Sequence, residues 1–191
     1  MTRTIYSLNL GDMRDGGLPC GPRASVMAKD LLTARMRINA SAETIFGVLA
    51  DPTKHQAIAG TGQAGKLVEP LDKEPITGLG QIFRMAMYHP NHPGGDYEIF
   101  NRVTEFKPPR VIAWKPGYDA GSGLAFGGWT WRYELTPAGP SATEVTLAYD
   151  WSSVSDSVRR EVGFPPFASE PPFSPDDLSN SLTRLAELVA S

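Results

Sequence analysis

Residues 129–135, WTWRYEL, and residues 144–151, EVTLAYDW, set large apolar side chains at every second position of two neighbouring segments. Trp129, Trp131, Tyr133 and Leu135 share one face of the first, and Val145, Leu147, Tyr149 and Trp151 share one face of the second. Thr130, Arg132, Glu134, Glu144, Thr146, Ala148 and Asp150 take the alternate positions, so each strand has a wet side and a side that must be covered. An aromatic wall of this width either fills a core or lines a pocket.

Upstream of this hairpin the same period recurs. Leu32, Ala34, Met36 and Ile38 alternate with Thr33, Arg35 and Arg37, which predicts an amphipathic strand. A short helix follows: Asn39 or Ser41 caps it, Glu43 sits in its positive first turn, and Ile45, Phe46, Val48 and Leu49 form its apolar side. Asp51-Pro52 ends it, and Pro52 starts a second short helix through Ala59, stopped by Gly60 and Gly62. His55 is expected at the surface of that second helix. Further strands are predicted at 67–70, 79–88, 96–106 and 111–115, with 89–95 as a long hairpin turn and 121–128 as a Gly-rich loop read as a mobile gate. A short helix is expected at 155–162, then a Pro- and Phe-rich connection. Ser174 caps the last helix, whose Leu178, Leu182, Leu185, Leu188 and Val189 make one apolar stripe.

A run of antiparallel strands with one apolar face needs a cover, and the final helix is the one long amphipathic element available for it. The sheet is expected to curl around that helix and leave a cavity at one end or along its underside. The fold class is therefore α+β.

Composition narrows the function. The chain has 191 residues, 41% of them apolar, and a formal net charge of -3, with basic residues scattered along it. That suits one domain with a substantial core and no nucleic-acid surface, which would need clustered Lys and Arg. One cysteine, Cys20, cannot form an internal disulfide, in keeping with a reducing compartment. No apolar run approaches the roughly 20 residues needed to cross a bilayer, and polar residues interrupt the N-terminal stretch where a signal peptide would be apolar. A cytoplasmic protein without stable membrane insertion is expected. Residues 1–26 read as a flexible extension and residues 27–191 as the domain, Met27 standing just before the first predicted strand.

The segments ARMRINASAETIFGVLADPTKH (34–55), NRVTEFKPPRVIAW (101–114), WRYELTP (131–137), TEVTLAYDW (143–151) and SLTRLAELV (181–189), in this order and spacing, resemble the START-like or Bet v 1-like (SRPBCC) superfamily. The chain is most similar to its bacterial polyketide cyclase/dehydrase and lipid-transport branch. The resemblance implies a helix-grip fold: a curved seven-stranded antiparallel sheet wrapped around the long C-terminal helix, two short helices after the first strand, and a hydrophobic cavity between sheet and helix. It does not imply one activity. Members bind lipids, sterols, polyketides or plant hormones, and others act as aromatase/cyclases or chaperone activators.

Strand parity alone nominates the cavity residues. Phe83, Met85 and Met87 share an inner face, as do Tyr97, Ile99, Asn101 and Val103, followed by Ile112 and Trp114. With Trp129, Trp131, Tyr133, Leu147 and Tyr149 from the aromatic hairpin they form a surface suited to ring-shaped or irregular apolar ligands. Ordinary core packing accounts for any single one of them equally well. Asn101 is the informative polar residue, since an amide on an apolar face needs partners and can orient a ligand. Tyr97, Tyr133 and Tyr149 offer weak acids. Arg84, Arg102 and Arg132 fall on the outer face beside Glu98 and Glu134, where cross-strand charge pairing explains them. His89, His92 and Asp96 lie in or beside a flexible turn, a poor scaffold for a metal, and neither metal nor cofactor is expected. No clear His, Asp or Glu is expected on any inner face, which favours binding over catalysis. The expected partner is a hydrophobic small molecule, bound and carried. An aromatase/cyclase-type enzyme and a chaperone-activating module are the alternatives.

Overall fold

A computed structural model describes residues 22–28, 30–59, 66–89, 92, 94–161 and 173–191, with residues 22–28 and 160–161 given by their backbone. Among these residues nine strands run in the order β1 (Pro22–Ala28), β2 (Leu31–Ile38), β3 (Lys66–Pro70), β4 (Ile82–Tyr88), β5 (Asp96–Lys107), β6 (Val111–Asp119), β7 (Leu124–Ala125), β8 (Thr130–Pro137) and β9 (Thr143–Asp150). Helices α1 (Ala42–Leu49) and α2 (His55–Ile58) follow β2, joined by a 3₁₀ turn at Pro52–Lys54. Helix α3 (Asp156–Glu161) and the long α4 (Pro175–Ala190) close the chain.

All strand pairs are antiparallel, in the spatial order β1-β2-β9-β8-β6-β5-β4-β3, with the two-residue β7 added to β6. Seven of these strands make the curled half-barrel expected from the sequence, and α4 packs on it. The seven are β2, β3, β4, β5, β6, β8 and β9.

The extra edge strand β1 corrects the domain boundary. Met27 pairs with Leu32, and Arg23 and Pro22 pair with Arg35 and Met36, so residues 22–26 belong to the sheet rather than to an extension. Residues 1–21, with Cys20, lie outside the described residues. Asp30 makes the β1–β2 turn with φ of 63°, a left-handed conformation that a short polar side chain tolerates.

Alternation sorts the hairpin as its sequence predicts. Trp131 pairs with Tyr149, Tyr133 with Leu147, and Leu135 with Val145. Val145, Leu147, Tyr149, Tyr133 and Leu135 are all buried. On the outer face Arg84 bonds Asp72 at 2.9 Å and Glu98 at 3.3 Å, and Arg132 bonds Glu105 at 2.9 Å and Glu134 at 2.6 Å. Arg102 lies 3.9 Å above the Phe126 ring. None of the three guanidinium groups turns into the concave face.

Helix α4 begins with a reciprocal cap. The Ser174 hydroxyl accepts from the Asp177 N–H at 3.2 Å, while Asp177 Oδ2 accepts from the Ser174 N–H at 2.8 Å. Two otherwise unpaired donors are thus satisfied where the helix dipole favours a carboxylate. Leu178, Leu182 and Leu185 are then fully buried against the sheet. Arg184 Nη1 donates to the Ala59 carbonyl at 2.6 Å, tying α4 to the end of α2.

Two outcomes test this arrangement. Limited proteolysis should leave residues 22–26 attached, so that the stable fragment begins at or before Pro22. Leu182→Ala should destabilise the domain by about 2–5 kcal/mol, read from urea unfolding, because it opens a void between α4 and the sheet.

Candidate functional site

The concave face of β4, β5, β6 and β8 is wider than one helix, and the space left beneath α4 is a cavity of about 130 Å³. Phe83, Met85 and Met87 of β4, Ile99 and Asn101 of β5, Trp114 of β6, and Trp131 and Tyr133 of β8 line it from the sheet. His55, Ile58 and Ala59 close one side, Leu67 an edge, and Phe173, Asp177, Leu178 and Ser181 the roof.

Eight of the fourteen nominated residues therefore meet at one cavity; Val103 and Ile112 are fully buried in the core, and four more lie elsewhere. Leu147 is fully buried in the core. Trp129 is buried just before β8, its ring against Gly127. Tyr97 sits at the hairpin end of β5, stacked on His92 at 4.7 Å. Tyr149 contacts Trp131 at 4.5 Å and Phe173 at 4.9 Å, backing a wall that it does not itself form. Parity assigns these four to the right face. The curl of the sheet then decides which part of that face the helix covers.

The helices supply what strand parity could not see. His55, expected at the surface, is 6% exposed and stacks on Trp114 at 5.3 Å and 20°, with Phe83 edge-on at 5.4 Å. Its Nε2–H donates to the Leu49 carbonyl at 2.9 Å. Burial holds its pKa below the ordinary 6.5, against smaller opposing effects of that hydrogen bond and of Asp51, so the ring is neutral at pH 7 with its lone pair on Nδ1. Asp177 also reaches the cavity, so the expectation of an inner surface without His or Asp is corrected. The spacing of Pro52, His55 and Ile58, three residues apart and all buried, is the signal that places the ring inward.

Asn101 is 2% exposed. Its Nδ2 reaches the Phe83 carbonyl at 3.5 Å, the outer limit of a hydrogen bond, and its Oδ1 has no partner among the described residues. A buried acceptor left unsatisfied costs about 1–3 kcal/mol. The tyrosines are poorer acids than the sequence suggests: burial pushes Tyr97 up to about 12 and likewise raises Tyr133 and Tyr149 well above the ordinary phenol value. All three are neutral O–H groups at physiological pH.

The Gly-rich loop 121–128 does not line this cavity. Leu124–Ala125 forms β7 against β6, Phe126 lies under Arg102, and none of its residues lines the space. Among the described residues no three His, Cys, Asp or Glu side chains stand together as a metal site, and no helix is long and apolar enough to cross a membrane.

No family model matches the chain. The Mycobacterium tuberculosis protein Rv0088 is 26% identical over 117 residues, covering 61% of this chain and 45% of that protein. The chain thus aligns to less than half the length of this relative. Among solved structures, Ms6760 from Mycobacterium smegmatis superposes with a TM-score of 0.58 at 14% identity, covering 88% of this chain and 98% of that one. A protein from Arthrobacter aurescens gives 0.59 at 12% identity, covering 87% and 91%, and CV1439 from Chromobacterium violaceum gives 0.57 at 15%, covering 86% and 99%. These likenesses establish a shared helix-grip-like fold.

The buried histidine makes stability pH-dependent. Below pH 6.5 the unfolded ring takes up a proton that the folded ring resists, so stability is lost as pH falls through 6.5 toward the lowered folded value. This one group contributes a slope of up to about 1.4 kcal/mol per pH unit. Urea unfolding at pH 7.5 and 5.5 should show a smaller acid-induced loss in His55→Gln than in the parent.

Proposed function

We propose that this protein binds, and carries, a hydrophobic small molecule in the cavity beneath α4, as a member of the START-like superfamily. The cavity itself supports the reading most directly. Eight sheet residues chosen by alternation, mostly aromatic or Met, converge on one space roofed by α4, with Asn101 among them. A sheet closed purely for stability would fill this volume, because each unfilled methylene-sized space costs about 1 kcal/mol. Apolar burial supplies the attraction at roughly 25 cal/mol per Å². Met85 and Met87 adapt to the ligand outline, and Trp114, Trp131 and Tyr133 offer flat faces.

An aromatase/cyclase-type enzyme is the second reading, and His55 favours it. A neutral imidazole at the wall is a group able to accept a proton from a bound substrate. The chaperone-activating alternative calls for an exposed apolar groove, whereas the apolar concavity here runs beneath α4.

Native mass spectrometry of the protein before and after mild organic extraction tests the carrier reading. A retained small molecule that extraction removes is the expected result, with Trp131→Ala lowering its occupancy about tenfold or more. A clean mass, together with no response of Trp114 and Trp131 fluorescence to a panel of apolar ring compounds, would overturn it. Chemical change of the bound compound that is lost in His55→Gln would instead establish the enzyme.

A further inference from the structure

The polar groups at the cavity wall are lopsided in a way that specifies the ligand beyond its hydrophobicity. Asn101 Oδ1 is a buried acceptor without a donor among the described residues. The Asn101 amide cannot simply turn over to cure this, because Nδ2 is then lost to the Phe83 carbonyl and an N–H is left unpaired in its place. His55 commits its only N–H to Leu49, which leaves Nδ1 as a second acceptor in the same lining. The roof adds the Asp177 carboxylate, held by the Ser174 N–H and hydroxyl.

Among the described residues no Lys or Arg lines the space. Arg184, on the same helix as the roof residues, donates to the Ala59 carbonyl, and Arg84 and Arg132 pair with carboxylates on the outer face. A carboxylate or phosphate entering the cavity would meet two acceptors and a like charge, with the Tyr133 hydroxyl as a neutral donor and no cation among the described lining residues to compensate its desolvation.

Size sets the other limit. An apolar cavity of about 150 Å³ takes one benzene ring, so the 130 Å³ here suits one ring or an equivalent short chain. His55, Trp114 and Tyr133 stack in succession, with centroids 5.3 and 5.8 Å apart, and hold an aromatic side of the space in place.

From this arrangement, and resting on the carrier reading above, we infer that the cavity selects a neutral, ring-sized group bearing an O–H or N–H donor, of the phenol type, and discriminates against anions such as fatty acids. The donor hydrogen-bonds Asn101 Oδ1 or His55 Nδ1, and the ring lies against Trp114 and Tyr133. The ligand thereby satisfies an acceptor that the described side chains and backbone leave unpaired, so polar recognition and apolar burial favour the same occupant.

Three compounds of one shape decide the matter: p-cresol, toluene and p-toluate, titrated at pH 7.5 and followed by Trp fluorescence and calorimetry. p-Cresol is expected to bind roughly threefold to tenfold more tightly than toluene, the factor of one neutral hydrogen bond, and p-toluate more weakly than either. In Asn101→Leu the advantage of p-cresol over toluene should shrink while toluene still binds. Should that variant fail to fold, the ranking in the parent protein decides alone. Equal binding of p-cresol and toluene, or tightest binding of p-toluate, overturns the inference and leaves the cavity reading standing. Failure of all three to bind overturns both.

Discussion

The structure depends on one burial event: the leucine stripe of α4 covering the concave face of a sheet too wide for it. Leu178, Leu182 and Leu185 are almost completely removed from water, and they contribute to the same core as β2, β9 and the hairpin residues Leu135, Val145 and Leu147. Without the helix that face would be exposed apolar surface. With it, the area beyond the helix footprint remains, and α1, α2 and Phe173 only partly fill the difference. The cavity is thus a geometric remainder of the way the sheet is closed.

That remainder is chemically uneven because its walls come from different kinds of element. Strands contribute through alternation, which delivers Phe83, Met85, Met87, Ile99 and Trp114 inward and sends Arg84, Arg102 and Arg132 outward to their acidic or aromatic partners. Helices contribute through their ends. His55 is the first residue of α2 and Asp177 lies in the first turn of α4, so a ring nitrogen and a carboxylate arrive at a wall otherwise made of hydrocarbon. The capping box fixes Asp177 in position, and the Leu49 carbonyl fixes the orientation of His55. The result is a cavity with acceptors, neutral hydroxyls and, among the described residues, no positive charge.

The sequence by itself determined the order of elements, the faces of the strands and the cap and stripe of α4. Each of these follows from short-range chemistry: a period of two along a strand, a hydroxyl and a carboxylate three residues apart, and leucines at helical spacing. It therefore also placed Phe83, Met85, Asn101, Trp114, Trp131 and Tyr133 on one side of the sheet, where they prove to share a cavity. Tertiary structure alone decided which inner residues stay beside open space. Leu147 and Trp129 lie in the core and Tyr149 behind the wall, because the curl of the sheet and the path of α4 set the boundary. Tertiary structure also brought in His55, whose burial depends on α2 folding over β4 and β6, a contact between segments distant in the chain. Edge strand β1 escaped the sequence for the same reason: its pairing partner β2 secures it, and backbone pairing leaves little trace in a segment rich in Pro, Arg and Ser.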